Sequence, residues 1–196
     1  MTRIGKLGYV ESPGFFGPAE REDADPPDMQ RFYGKYRGQV VENVDPQGLG
    51  RLLVSVPDVL GLLPSSWAMP CVPMAGLQSG TFIVPPPGAG VWVEFEGGNP
   101  DYPIWVGCFW GSAAETPPTS KVVTPKAPVF LVETITKSKL AVSDTPIPPM
   151  KGAGVLVQSS SAAISVDTTG VTITAATINL VGTVNINNGA LVVKPV

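Results

Sequence analysis

The sequence predicts an all-β protein: a small barrel followed by an intertwined three-chain β-helix, which together make an obligate homotrimer. Three observations predict this class. The 196 residues include 22 glycines and 22 prolines, and both residue types interrupt helix interiors. Charged residues make up 15% of the chain and hydrophobic residues 43%, a balance that argues against disorder. The C-terminal third repeats a short apolar–polar–apolar unit, which is typical of a repeat fold.

Residues 1–32 are predicted to form an extended arm. The stretch 18–30 is acidic and contains prolines, so it cannot bury enough apolar surface to order by itself. Two interpretations are open: a tail without contacts, or an arm that orders on a partner. Large apolar residues favour the second, as anchors that would bind the partner; they are Ile4, Leu7, Tyr9, Phe15 and Phe16.

Residues 33–111 are predicted to form the barrel, because they alternate short strands with turn signals. The turn DPQGLG separates the strand-like runs GQVVENV and RLLVSV. The run VWVEFE alternates strictly, with Val91, Val93 and Phe95 on one face and Trp92, Glu94 and Glu96 on the other. Residues 112–128 carry several prolines and are predicted to be an extended linker.

Residues 129–196 contain the repeat. Each copy is an apolar–polar–apolar triplet followed by about four small or polar residues, and successive copies begin six or seven residues apart. The apolar positions are predicted to form the core of a trimeric β-helix; they are Ile164, Val166, Val171, Ile173, Ile178, Leu180, Val184, Ile186, Leu191 and Val193.

A unit of this length is too short to bury its own apolar face. One solution is a single-chain solenoid, and the other is a stalk in which three chains each supply one side of every layer. About nine units fit into 129–196, which barely suffices for a single-chain solenoid. The sequence therefore favours three chains, with a stalk roughly 40 Å long at ~4.8 Å per layer.

Composition argues against several other functions. The chain has no histidine and two cysteines, which excludes histidine-based catalysis and zinc sites, and no cofactor is expected. Cys71 and Cys108 lie in apolar stretches and are interpreted as small buried hydrophobic residues. Glu94 and Glu96 have a spacing that glycosidases use, but a solvated strand face explains them better, so no enzyme activity is expected. A net charge of −3 argues against nucleic-acid binding.

The barrel region resembles the OB-fold of the contractile-tail baseplate spike family, which includes phage baseplate assembly protein V and VgrG-type spikes. The likeness lies in GQVVENVDPQGLGRLLVSVPDV, in WAMPCVP and, most specifically, in PPPGAGVWVEFEGGNPDYPIWVGCFWG. Its motif residues here are Trp92, Glu94, Phe95, Asn99, Pro100, Asp101, Pro103, Trp105 and Gly107.

The resemblance implies a structural role without chemistry. Three copies would sit under a tail hub in the baseplate of a phage virion or an injection machine, after assembly in the bacterial cytoplasm. The N-terminal arm would then bind the hub. The spike would then pierce the target cell's outer membrane. Some relatives carry a lysozyme domain or a histidine-bound iron at the tip; this chain shows neither pattern, which implies a plain tip or a separate tip protein. The alternatives are a trimeric receptor-binding fibre or adhesin, and a single-stranded nucleic-acid-binding OB protein.

Overall fold

The computed structural model describes residues 30–123 and 127–182. The chain divides into two units, Met1–Phe109 and Trp110–Val196, and the described part of each is built from β-strands. The domain boundaries drawn from the sequence stay predictions. None of the helices in the described ranges has the length and apolar character needed to cross a bilayer.

The first unit is a strongly curved sheet with strand order β2-β1-β6-β7-β3, in which only β3 and β7 run parallel. A small hairpin, β4–β5, and a four-residue helix, α1, lie outside this sheet. The elements are β1 Tyr36–Glu42, β2 Leu53–Ser55, α1 Pro57–Leu60, β3 Met69–Pro70, β4 Ala75–Gly76, β5 Ser79–Gly80, β6 Gly90–Phe95 and β7 Pro103–Phe109.

The two outer ends of this sheet meet and close a small barrel. Leu52 and Ala68 exchange backbone hydrogen bonds of 3.1 and 2.8 Å, which joins the chain just before β2 to the chain just before β3. Closure removes the free sheet edge that an open sheet would expose. This is the architecture that the resemblance to OB-folds implies.

The barrel core confirms the faces predicted for the VWVEFE strand. Val91, Val93 and Phe95 are buried, because alternate residues of a strand point to the same side. The rest of the core comes from the other strands and the segments that flank them: Val40, Leu52, Val54, Val56, Ala68 and Trp105.

The second unit is a five-stranded antiparallel meander in which sheet order follows chain order, β12-β11-β10-β9-β8. Its strands are β8 Val129–Glu133, β9 Lys139–Ser143, β10 Gly154–Ser159, β11 Ala162–Asp167 and β12 Gly170–Thr174. One face is covered by the chain itself, where Ala141, Leu156 and Ala163 pack with Val123, Ile147 and Met150.

The three-chain β-helix expected for the repeat stays a prediction, since the structure describes one chain. Within it, the triplets beginning at Ile164 and Val171 lie on adjacent antiparallel strands, with Ile164 opposite Ile173 and Val166 opposite Val171. The spacer Thr168–Thr169 is a two-residue hairpin turn between these strands. The triplets at Val184 and Leu191 lie outside the described residues.

The predicted linker is only partly extended. Residues Pro118–Lys121 form a 3₁₀-helix, and Thr119 and Val123 are buried in the second unit. Two hydrogen bonds hold Thr119 in place. Its backbone N–H donates to Glu133 Oε2 over 3.2 Å, and its hydroxyl accepts from Lys139 Nζ over 2.7 Å.

The interpretation of the two cysteines as buried residues is wrong. Cys71 and Cys108 are both free thiols and both exposed. Cys71 comes directly after the short strand β3, and Cys108 lies on β7 with its side chain away from the barrel core. Apolar neighbours in the sequence do not decide which face of a strand a residue occupies.

Candidate functional site: an uncovered apolar sheet face

The second unit carries two continuous apolar rows on the face that its own loops leave open. Each row runs straight across all five strands, because the residues are direct cross-strand partners. The first row is Phe130, Val142, Val155, Val166 and Val171. The second row is Val132, Leu140, Val157, Ile164 and Ile173. These two rows are called the apolar wall below.

The apolar wall is accessible along its whole width. Every one of its side chains is large, hydrophobic and exposed; Ile164 and Ile173, for example, are 48% and 51% accessible. A contiguous apolar surface of this kind on a soluble protein marks an interaction site. Residues whose side chains point the other way, such as Leu156 and Ser165, are buried under the loops of the same unit.

An open groove of about 600 Å³ follows the second row. It is lined by Val132, Leu140, Val157 and Ile173, and by Ile178 from the segment after β12. Its lining is mainly aliphatic, with Ser138, Lys139 and Gln158 among the polar residues, so the groove offers apolar contacts to side chains of a partner surface.

Lys139, Glu133 and Asp167 all have polar partners within this unit. Lys139 Nζ is 3.8 Å from Glu133 Oε1 on the covered face, and both side chains are largely buried there. Asp167 accepts hydrogen bonds at the turn between β11 and β12: from the backbone N–H of Lys151, and from the backbone N–H and hydroxyl of Thr169. The Thr169 hydroxyl, followed by these backbone donors, lowers the pKa of Asp167 to about 2.

The structure places four of the predicted core residues, Ile164, Val166, Val171 and Ile173, together on the apolar wall. Ile178 and Leu180 follow β12 and are also exposed. Val184, Ile186, Leu191 and Val193 lie outside the described residues. The assignment of these positions to a trimer core stays a prediction.

Six wall residues were missed by the sequence analysis: Phe130, Val132, Leu140, Val142, Val155 and Val157. A signal was present, because β8, β9 and β10 each contain two apolar residues separated by one. In these strands, however, the central residue is also apolar (Leu131, Ala141 and Leu156), so the alternation is hidden in a continuous apolar run.

The motif residues of the barrel have mainly structural contacts. Trp105 is buried, and its indole Nε1 donates to the Gly50 carbonyl oxygen over 3.1 Å, which ties β7 to the loop before β2. Phe95 contributes to the same core, while Pro103 begins β7 opposite it.

The turn around Asn99, Pro100 and Asp101 is held by its own hydrogen bonds. The buried Asn99 accepts the backbone N–H of Asp101 on Oδ1 over 3.0 Å. Ser66 donates its hydroxyl proton to the Asp101 carbonyl oxygen over 2.7 Å, which fastens this turn to the segment before β3. The motif therefore fixes the connection between β6 and β7.

Glu94 and Trp92 lie on the outer face of the barrel, on the side of β6 opposite Val91 and Val93. Glu94 forms an ion pair with Lys35. Trp92 stands opposite Gly107, which has no side chain, and the Arg37 guanidinium lies 5.0 Å from the Trp92 ring and 4.8 Å from the Phe109 ring. These cation–π contacts hold Arg37 against the two rings.

A buried ion pair organises the loop between β1 and β2. Asp45 accepts from Nε and Nη2 of Arg51 and from the backbone N–H groups of Gln47, Leu49 and Arg51. The Arg51 guanidinium, with these backbone donors, holds the pKa of Asp45 well below its ordinary value. The pair thus holds the turn between β1 and β2 in shape.

The predicted hub-binding arm lies almost wholly outside the described residues, which include none of Ile4, Leu7, Tyr9, Phe15 and Phe16. Its last residue, Phe32, is described and packs against the rings of Tyr36 and Phe95. Within residues 30–123 and 127–182, no group of three metal-binding side chains occurs.

Comparison with known families gives two matches. Residues 36–110 match the type VI secretion system/phage-baseplate injector OB domain. Residues 128–192 match the phage baseplate V C-terminal trimerisation domain, and this range contains the whole apolar wall. A comparison with curated proteins finds no match.

Proposed function

Because this chain belongs to the contractile-tail baseplate spike family, we propose that it forms the central spike of a phage tail or of a related injection machine. The family gives a structural role in a baseplate and association as a homotrimer. In this proposal, the trimer attaches under the tail hub and is driven mechanically through the target cell envelope. Its tip is either plain or completed by a separate protein.

The apolar wall is the observation that carries this proposal. It lies in the range that matches a trimerisation domain, and no described part of the chain covers it. Complete burial of an aliphatic side chain contributes about 1.5–3 kcal/mol, and the wall residues are about half exposed. Covering both rows therefore contributes on the order of 10 kcal/mol per chain, enough to offset a large part of the entropy lost on association.

The two ends of the barrel support an arm on the hub side. The N-terminal segment joins at the end where the Phe32 N–H donates to the Gly98 carbonyl oxygen over 2.8 Å. Gly98 has φ of +77°, and a β-carbon there would lie 3.0 Å from the Tyr33 ring, so glycine lets the segment approach closely. The chain leaves at Phe109, at the opposite end of β7. The described chain therefore enters and leaves the barrel at opposite ends of β7, which is compatible with a separate hub-binding role for the segment before Phe32.

Piercing requires stiffness and a fixed shape rather than a reacting group. The closed barrel, the buried Trp105 anchor and the two-residue turns of the meander all restrict movement of the backbone. The family consists of structural baseplate components, which agrees with this mechanical role.

The test uses the phage, or the bacterium that makes the injection machine, whose genome encodes the protein. We expect Ile173→Asp to give particles that lack the spike and fail to deliver their contents, because a charge in an apolar core is very unfavourable. Thr172→Asp, whose side chain points to the other face, is the matched control and should retain most delivery. Normal delivery by particles built with Ile173→Asp would refute the proposed function.

A further inference from the structure

We propose that residues 118–123 are a releasable clasp, which docks part of the linker on the C-terminal sheet and so limits the length of the connection to the barrel. These residues lie between the two family matches, which end at residue 110 and begin again at residue 128. They nevertheless belong to the C-terminal unit, because they pack on the covered face of its sheet.

The clasp is attached through two of its six residues. Val123 is buried in the core of the unit together with Ile147 and Leu156. Thr119, four residues earlier, is buried against β8 and β9, while the remaining residues of the clasp are exposed. A segment with so few buried side chains has a low local stability, so it can open while the rest of the unit stays folded.

Thr119 supplies polar partners to a buried ion pair. Glu133 and Lys139 are direct cross-strand partners, and their side chains are 2% and 13% accessible. The distance of 3.8 Å between Lys139 Nζ and Glu133 Oε1 is too long for a hydrogen bond. The Thr119 N–H donates to Glu133 and the Thr119 hydroxyl accepts from Lys139. Because buried charges are unfavourable without such partners, the pair holds the clasp in one position.

Water can take the place of the clasp at this ion pair. An open cavity of about 330 Å³ borders Thr119, Glu133 and Lys139. If Thr119 moved away, water in the cavity could form hydrogen bonds with both charged groups. Release would therefore leave neither charge without a partner, so the contact selects one position for the clasp without making it permanent.

The residues just before the clasp are folded as well. Glu115 accepts from the backbone N–H of Gly111 over 2.9 Å and from the hydroxyl of Ser112 over 3.2 Å. With the clasp attached, only the eight residues 110–117 can extend from the end of the barrel, with a reach of at most about 28 Å. Release of the clasp frees the nineteen residues 110–128 and raises this reach to about 65 Å.

A short connection has a consequence that rests on the spike proposed above. A slack chain transmits a pull but not a push, because it bends under compression. In a spike that is driven through an envelope, the attached clasp would restrain the connection through which a push on the barrel reaches the C-terminal unit.

Hydrogen–deuterium exchange of the purified full-length protein tests the clasp. Thr119→Val keeps the backbone N–H and the size of the side chain but removes the hydroxyl that accepts from Lys139. We expect amides in 118–123 to exchange at least about tenfold faster than in the wild type, since a buried donor without its acceptor is unfavourable. Amides of β10 and β11 should exchange at the wild-type rate.

Ser120→Ala is the matched control. The Ser120 side chain is exposed, and its hydroxyl donates to the Pro117 carbonyl oxygen within the linker. Exchange in this variant should stay close to that of the wild type. An unchanged exchange rate at 118–123 in Thr119→Val would overturn the clasp. Equal acceleration in β10 and β11 would also overturn it, because the segment would then open only together with the whole unit.

Short exposure to trypsin gives a second measure of release, because Lys121 lies within the clasp. When opening and closing are fast, cleavage follows the population of the open form. Mass spectrometry should show cleavage after Lys121 that is about tenfold faster in Thr119→Val than in the wild type or in Ser120→Ala. Equal cleavage rates in all three proteins would contradict the clasp.

Assembled particles separate the clasp from the spike. Particles with Thr119→Val should contain the spike but deliver their contents less often than particles with Ser120→Ala. Full delivery by Thr119→Val particles would overturn the role of the clasp in transmitting the push and leave the proposed spike intact. Absence of the spike from these particles would overturn the clasp as a local device, because the substitution would then have acted on assembly.

Discussion

Ile164 and Ile173 stand directly opposite each other on β11 and β12, and each is about half exposed on a face that no described residue covers. The pair lies in the range that matches a trimerisation domain. In the proposed trimer, other copies of the chain would cover these two neighbouring isoleucines.

Ile173→Asp should prevent trimer formation by the purified protein. The substitution places one charge per chain on the apolar wall, and a carboxylate removed from water without a partner is strongly destabilising. Light scattering should show a trimer for the wild type and for Thr172→Asp, and a monomer or aggregate for Ile173→Asp. Equal behaviour of the two variants would show that the faces are assigned wrongly.

Trp105→Phe should destabilise the barrel by about 1–3 kcal/mol, because it leaves the buried Gly50 carbonyl oxygen without its indole donor. Urea unfolding followed by circular dichroism measures this change. Trp110→Phe is the control: Trp110 is 62% exposed, and its substitution should change the free energy of unfolding by less than about 0.5 kcal/mol. A similar loss in both variants would argue against the anchoring role of Trp105.

Acid should weaken the C-terminal unit through Asp167. Its pKa is lowered to about 2 in the folded protein, against about 3.9 for an unperturbed aspartate. The folded state thus binds its proton less readily than the unfolded chain, so this stabilisation is present above about pH 4 and is lost as the pH falls towards 2. Thermal melts between pH 5 and pH 2 should show a smaller fall in Tm for Asp167→Asn than for wild type. An identical fall in Tm in both proteins would contradict the expected contribution of ionised Asp167 to stability.

Gly154→Ala should destabilise the meander, because an added methyl group would overlap the Val166 carbonyl oxygen and lie 2.8 Å from the Asp167 Cα. Backbone atoms of a paired strand cannot move aside easily, and overpacking of this kind costs about 1–3 kcal/mol. Gly152→Ala is the matched comparison, since its methyl group would meet the Thr168 side chain, which can rotate. Chemical denaturation should give a much lower free energy of unfolding for Gly154→Ala than for Gly152→Ala. The reverse order would contradict the β10–β11 pairing.

Both thiols of the native protein should react with a maleimide without denaturant, because Cys71 and Cys108 are exposed and unpaired. Mass spectrometry should find two labels on each folded chain and no loss of secondary structure by circular dichroism. In an assembled trimer, protection of one cysteine only would identify it as part of a contact between copies. Protection of both thiols in the isolated chain would contradict the structure.

The sequence predicted those parts of the fold in which the two faces of a strand differ chemically. Val91 and Val93 were assigned correctly to the barrel core because polar or amphipathic residues alternate with them. The strand partners of the repeat were not predictable from the same signal, since a period of two residues fixes the face and not the neighbour. Recognition of Thr168–Thr169 as a hairpin turn would have supplied the missing information.

The exposed position of Cys71 shows a second limit. Cysteine is often buried, and its neighbours in WAMPCVP are apolar, but β3 is only two residues long and ends before it. Exposure beyond a strand end depends on where the sheet stops, which follows from tertiary pairing. The apolar wall was hidden for a related reason: burial of Leu156 on the covered face makes both faces of β10 apolar.

The meander has a consequence for synthesis on the ribosome. Each strand pairs with the one translated just before it, so most contacts of the C-terminal unit are local and can form quickly, before other chains arrive. Until then, the apolar wall of the newly made monomer is exposed to water, and this exposure promotes aggregation. Production of the protein in bacteria should therefore depend on how fast nascent chains find one another, and neighbouring ribosomes on one messenger would bring them together.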